Sequence, residues 1–381
     1  MTWSKNNTRE RGIALIIVMI MIVVFAGMAF ILASSMKVET KLARNSNWDT
    51  EMEWLGRSGI EFAKYLLTPC GQNPGGGQFD SLGQKWAGGM SETNSCFEGL
   101  SLTDNRLGHG TFSVKIKDAD AKFNINLVLV QPDLVKHGLE YVVGVDAAEA
   151  PHIVNAIADW IDRDDDPRVG STDTETSYYM SLNPPYKAKN GPIDDLTELM
   201  MIKGITPAMF FGGGGSASGH ARPPQSSNRF NKRFAEEPVY PVGMADLFTT
   251  VSSGYINLNT ASAEVLQLIP DMDQQIASEI IQWRNGEDGV VGTEDDRPFK
   301  SVGELGNVQA LRSLLGGGGG GGSGKPGGNP AQVLGNYFGV RSTTFEVEVE
   351  CQIDAVKRTY YALLRRTGSG NQIVTCYMYW R

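Results

Sequence analysis

From Ile13 to Ser35, 23 residues pass without a charge, and apolar side chains fill most of the run. About 20 such residues in a helix cross about 30 Å of hydrocarbon. The pattern does not stop there. "MKVETKLARNSNWDTEMEWLGRSGIEFAKYLL" continues at helical period, with Val38, Leu42, Trp48, Met52, Leu55, Ile60 and Phe62 as an intermittent apolar stripe. No proline falls between Ile13 and Thr68, so one helix about 80 Å long is predicted at about 1.5 Å per residue. Residues 13–35 are its membrane-spanning part and 36–67 the part that projects. The apolar run is longer than the roughly 7–15 residues of a signal-peptide core. Ala33, Ser34 and Ser35 do offer small residues near its end. The helical period that follows them argues for retention.

Beyond Thr68 the period changes. Residues up to Gly110 are irregular, and then "HGTFSVKIKD" alternates, with Phe112, Val114 and Ile116 on one face. Near the C-terminus Phe345, Val347, Val349 and Cys351 alternate with Glu346, Glu348 and Glu350 in a segment that reads as a hairpin, and "NQIVTCYMYWR" supplies a last strand. A small antiparallel sheet is thus expected from parts of the chain over 200 residues apart, 68–123 and 336–381. The intervening 124–335 is then an inserted α-domain, and the fold class is α+β.

The insert repeats itself. "FNINLV" at 123–128 is echoed by "YINLNT" at 255–260, and each precedes an apolar helix and a helix ending in Trp: "IVNAIADWIDRDDDP" and "IASEIIQWRNGEDG". An acidic loop and a short helix follow in both, "PIDDLTELMMIKGI" and "PFKSVGELGNV". Two similar helical units, about 124–211 and 254–315, are expected, with glycine-rich tracts at 212–224 and 316–328. Neither tract follows a strand or ends in GK[ST], so neither is a phosphate loop.

Composition narrows the function. The chain of 381 residues has a formal net charge of −9, with 41% hydrophobic and 20% charged residues. An acidic surface repels phosphate backbones, so nucleic acid is a poor default partner and divalent cations or basic protein faces suit it better. The leader Met1–Gly12 is locally basic, with Lys5, Arg9 and Arg11 against Glu10. His109, His137, His152 and His220 form no metal spacing, and neither GxSxG nor HExxH occurs, so no enzyme is expected. The four cysteines fall into two pairs, Cys70 with Cys96 and Cys351 with Cys376. In an oxidising compartment two local disulfides are the natural reading, and free buried thiols the alternative.

The acidic loop from Asp162 to Glu175 carries the strongest chemical signal. Asp162, Asp164 and Asp166 fall at i, i+2, i+4, and Asp173 lies eleven residues after Asp162. That spacing wraps oxygen ligands around one calcium ion. Pro167 stands where an EF-hand needs glycine, so the loop must close in another way, through Glu175 or a backbone carbonyl. A second loop, "NGEDGVVGTEDDRP", holds Glu287, Asp288, Glu294, Asp295 and Asp296 at the corresponding place in the repeat, and is a candidate for a second ion.

Two family resemblances follow from these residues. "INLNTASAEVLQLIPDMDQQIASEIIQWR" resembles a helix-hairpin-helix DNA-binding unit, but its hairpin reads "PDMD" where that motif has "PGIG". Asp271 and Asp273 would face the phosphate, so the fold is expected without the function. A membrane-anchored DNA-binding or DNA-uptake protein is therefore the rival reading.

The whole chain resembles the type IV pilin and pseudopilin class: a basic leader ending in Arg11–Gly12, an apolar run, one long helix and a C-terminal body. The resemblance implies cleavage by prepilin peptidase after Gly12, leaving Ile13 as an N-methylated end. Most of that class carry glutamate at the fifth mature position, where this chain has Ile17. The exception is the minor pseudopilin K family of type II secretion systems, which this chain resembles further in "NINL", "DWIDRDDDP", "YYMSLNPPY" and "INLNTASAEVL", in that order. The resemblance implies a non-enzymatic subunit of the inner membrane, single-pass, with its body in the periplasm. It also implies calcium in the α-domain, and as partners the I and J minor pseudopilins, the peptidase and the inner-membrane assembly platform.

Overall fold

The computed structural model describes residues 10–68, 78–90, 97, 99–168, 176–213, 239–311, 334–367 and 372–381. Residues 1–9, Cys70, Cys96, Asp173, Glu175, nearly all of the first glycine-rich tract and all of the second lie outside the described residues. The long helix, α1, runs from Glu10 to Leu67, 58 residues, or about 87 Å at about 1.5 Å per residue. Every side chain from Ile13 to Ala43 is exposed. The first part of this helix is long and apolar enough to cross a membrane.

Its C-terminal part behaves differently. Met52, Leu55, Ile60, Ala63, Leu66 and Leu67 are buried against the sheet. Val38 and Leu42, at the start of the predicted stripe, stay exposed because they lie beyond the sheet's reach. Two glycines set the approach. A Cβ on Gly56 would sit 2.5 Å from the ring of Tyr360, and one on Gly59 2.4 Å from Val349. The helix backbone therefore lies directly on those side chains.

After α1 the chain runs through β1 (Asn105–Leu107), β2 (Gly110–Asp118), β3 (Phe123–Asn124), α2 (Pro132–His137), α3 (Ala150–Ile161), α4 (Thr176–Met180), α5 (Pro207–Phe211) and α6 (Met244–Leu247). It continues through β4 (Phe248–Thr249), β5 (Ile256–Asn257), α7 (Ala263–Leu266), α8 (Gln274–Arg284), β6 (Phe338–Gly339), β7 (Thr344–Ile353), β8 (Val356–Thr367) and β9 (Gln372–Trp380). The main sheet has the order β1-β2-β7-β8-β9 and is antiparallel throughout. Val114 opposes Val349, which opposes Tyr360. The apolar positions that alternate in the sequence thus form one face under α1.

The architecture is α+β, as the sequence patterns predict. A second core, separate from that of the sheet, fills the inserted segment, with Phe123, Ile125, Leu139, Ile157, Phe210, Leu258 and Phe299 buried almost completely. Among the described residues of the insert, helices are short, and two parallel bridges, β3 with β4 and β5 with β6, pin them.

Buried polar groups join the two parts. Arg366 pairs with Asp80 at 2.7 Å, each side chain 6% exposed. It also donates to the carbonyls of Ser342 and of Leu67 at the end of α1. Asp118, at the end of β2, accepts from Thr260 and Ser342, each at 2.5 Å, and from Asn257. Asp120 accepts from the backbone of Ser253 and Thr343. The strand leaving the sheet, the second unit and the strand returning are tied in one network. Losing a partner there would strand a buried charge.

The expected Cys351–Cys376 disulfide is corrected: both are free thiols. Cys351 lies in β7 and Cys376 in β9, with β8 between them, so the strands stand about 10 Å apart against the roughly 4.4–6.8 Å a disulfide allows. They are also offset along the strands. Cys351 opposes Arg358, whereas Cys376 is the extra residue of a bulge beside Leu363 and Leu364.

Candidate functional site

The first acidic loop begins at the end of α3. Asp159, fully buried on that helix, and Asp162, its C-cap, face the same guanidinium: Arg168 Nε lies 3.5 Å from Asp159 Oδ1 and 3.2 Å from Asp162 Oδ2. Asp164 Oδ1 accepts from the backbone N–H of Asp166 at 3.2 Å. Asn190 braces the turn, its amide donating to the Asp164 carbonyl and to Asp165 Oδ1, both at 3.0 Å. Asp162 Oδ1 is buried with no hydrogen-bond partner. Desolvation pushes the Asp162 carboxyl above the usual carboxylate range against the pull of Arg168.

Of the five predicted ligands, Asp162, Asp164 and Asp166 therefore lie on one turn, and Asp173 and Glu175 fall outside the described residues. Among the described residues no three carboxylate, histidine or cysteine side chains converge for a metal. The donor set still fits a hard divalent cation. It is all oxygen, and the Asp162 Oδ1 atom is orphaned. Asp159 escaped the sequence reading. Its signal was the spacing of three from Asp162, which puts both carboxylates on one helical edge.

The second loop is organised from within. Asp295 Oδ2 accepts from the N–H groups of Glu287 at 2.6 Å and Asp288 at 3.1 Å, and Oδ1 from the Thr293 hydroxyl at 2.7 Å. These bonds, that of Thr293 foremost, hold the Asp295 carboxyl down at about 2. Gly286 has φ +74°, and a Cβ there would lie 2.4 Å from Asp295 Oδ2, so glycine is required. Glu287 pairs with Arg297 at 2.8 Å. Asp288 Oδ1 accepts from Val290 N–H and Asp296 Oδ2 from Gly292 N–H.

The N-x-N repeats have a structural task. Asn126 donates to the carbonyl of Ile193 at 3.0 Å and accepts from its N–H at 2.7 Å. Asn259 does the same to Phe299, at 2.9 Å and 2.8 Å. In each unit the first asparagine accepts from the N–H of the second: Asn124 from Asn126, Asn257 from Asn259. Each first asparagine also reaches the residue three beyond the returning bridge, Ser252 or Ser342. The two clasps are made alike, and the second sits three residues past Asp296, at the end of the second acidic loop.

The hairpin between α7 and α8 has Asp271 at φ +68°, the conformation that glycine usually supplies. Asp273 Oδ1 accepts from Ile276 N–H at 2.9 Å. The helix end that would meet a phosphate is thus filled by the chain's own carboxylate.

The fold is thus a long helix whose C-terminal part packs on an antiparallel sheet, with an insert between β2 and β7. Comparison with known proteins agrees. Residues 121–211 match the family model described as "Type II secretion system (T2SS), protein K". The chain is 29% identical over 216 residues to a putative type II secretion system protein K of Escherichia coli K12. It is 25% identical over 218 residues to the type II secretion system protein K of Klebsiella pneumoniae. Each alignment covers 54% of this chain, and the chain spans 61% of each relative's length. In fold, the chain matches a chain of the GspK–GspI–GspJ complex from the enterotoxigenic Escherichia coli type 2 secretion system, with a TM-score of 0.57 and 16% identity, covering 89% of this chain and 99% of that one. The resemblance to the type II secretion system protein K family, read first from the sequence, is supported by the family model and by both relatives, and the solved structure supports the fold.

Proposed function

We propose that this chain is a minor pseudopilin of a type II secretion apparatus, anchored in the inner membrane by α1, with its body in the periplasm, and placed at the tip of the pseudopilus. Its role is to start or cap assembly and so to aid export of folded proteins. The observation that carries the reading is the insert of about 200 residues between β2 and β7, on a subunit whose helix is otherwise that of a filament former. Such a bulk is hard to repeat along a shaft and fits an open end. Ile17 agrees. A glutamate there would compensate the amine of the subunit ahead, and a terminal subunit has none ahead of it. The partners of this reading are the I and J minor pseudopilins, prepilin peptidase and the assembly platform, and the role is structural rather than catalytic.

Calcium belongs to the same reading, held by Asp162, Asp164 and Asp166 with Asp173 and Glu175. It would neutralise carboxylates that otherwise repel one another. The rival DNA-binding reading is disfavoured by Asp271 and Asp273 at the α7–α8 hairpin.

Two measurements test the proposal. N-terminal sequencing after co-expression with prepilin peptidase should begin at Ile13, whereas a start near residue 36 would indicate a removed signal instead. Labelled protein should mark filament ends. Regular labelling along shafts would contradict the tip position. Ile17→Glu refines this, since entry of that variant into shafts would identify the missing charge as what excludes the chain.

A further inference from the structure

Between the linker Ser81–Gly83 and the second unit lies a cavity of about 10 Å³. Its lining includes Ser81, Asn259, Arg284, Asn285 and Asp296. Three of these residues carry buried polar atoms that meet no partner from the chain: Ser81 Oγ, Arg284 Nε and Asp296 Oδ1. Ser81 is 5% exposed and Arg284 7%. Arg284 and Asp296 are each held at a second atom. Arg284 Nη1 donates to the Leu258 carbonyl at 2.7 Å, and Asp296 Oδ2 accepts from Gly292 N–H at 2.9 Å. The orphaned atoms of Arg284 and Asp296 are therefore held in place rather than free to turn elsewhere.

We infer that this cavity is a binding site for one ordered water molecule, bridging Arg284, Asp296 and Ser81. The volume matches a single water, and two to four polar partners are what such a site needs. The chemistry selects the ligand. Nε–H donates, Oδ1 accepts and the serine hydroxyl can do either, which are the complementary needs of water. A cation would meet the Arg284 guanidinium, and an anion the Asp296 carboxylate. Burial with no bound ligand would leave a charged donor and a charged acceptor desolvated, at the cost that buried polar groups normally avoid. The water joins the linker leading to the sheet to the second acidic loop. The backbone bond from Met90 N–H to the Gly292 carbonyl, 2.9 Å, spans the same seam.

The test is a crystal structure of the full chain in detergent, from calcium-containing medium, with data fine enough to show waters and with anomalous data sensitive to calcium. A water within about 3.2 Å of Arg284 Nε and Asp296 Oδ1 is expected. Asp296→Leu should lose that density while the fold persists. An empty cavity closed by direct contact of Arg284 with Asp296, or an anomalous peak at the position, would overturn the inference.

Discussion

Asn126 holds the backbone of Ile193 from both sides, accepting its N–H at 2.7 Å and donating to its carbonyl at 3.0 Å. Sixty-seven residues of chain, including the first acidic loop, close on that one clasp. Asn259 and Phe299 repeat it in the second unit. Asn126→Ala should cost about 1–3 kcal/mol, since two groups of a buried backbone segment lose partners. Asn259→Ala should cost more, because Asn259 is 2% exposed and Phe299 fully buried. Thermal unfolding of each variant measures this. Melting curves indistinguishable from wild type would show the clasp to be incidental.

Asp118 sets a pH dependence. Burial lifts its carboxyl to about 7, with Asp120 and Asp80 adding to the rise and the Ser342 and Thr260 hydrogen bonds opposing it. The folded chain thus holds this proton more tightly than the unfolded chain does. The resulting stabilisation is present below the ordinary carboxylate pKa and is lost as pH rises toward about 7, by at most about 4 kcal/mol. Asp118→Asn keeps the shape and removes the titration. The wild type's melting temperature should fall relative to that variant's between about pH 4 and pH 8. Parallel curves would contradict the assignment.

The thiols should differ in reactivity. Cys376 is exposed on the β9 bulge, whereas Cys351 is buried and its thiol pushed up to about 12 by desolvation. Alkylation of the native protein should modify Cys376 and spare Cys351 until the chain unfolds. Peptide mapping that finds the two joined would restore the disulfide.

Calcium should stabilise the fold by mass action, by about 2.7 kcal/mol at a hundredfold excess over Kd. Chelation should therefore lower the melting temperature, and Asp164→Ala should remove most of that difference. A melting curve unaffected by chelator would leave the loop a solvated acidic turn braced by Arg168 and Asn190.

Much of this was legible in the sequence, for identifiable reasons. The alternation of Phe345, Val347, Val349 and Cys351 specified strands, and the unbroken helical period specified α1, because both signals are local. The N-x-N echo marked a real equivalence, since the motif performs the same backbone contact twice. What stayed hidden depends on chain segments far apart. The hairpin and the last strand could be read, but not that β8 pairs with both and so separates Cys351 from Cys376. The returning bridges at Phe248–Thr249 and Phe338–Gly339 are two residues long, too short for any period. Asp80, Asp118 and Arg366 meet only in the folded chain. Asp159 hid within an apolar helix. Gly56 and Gly59 are ordinary helix weaknesses until the sheet side chains beneath them are seen.

The central claim is that this subunit enters an assembly once, beside other minor pseudopilins, and does not polymerise. The most direct measurement is native mass spectrometry of the full chain co-expressed with the I and J minor pseudopilins and purified in detergent. The account predicts a complex with a single copy of this chain alongside its partners. Several copies per complex, or a homopolymer formed without the partners, would contradict it.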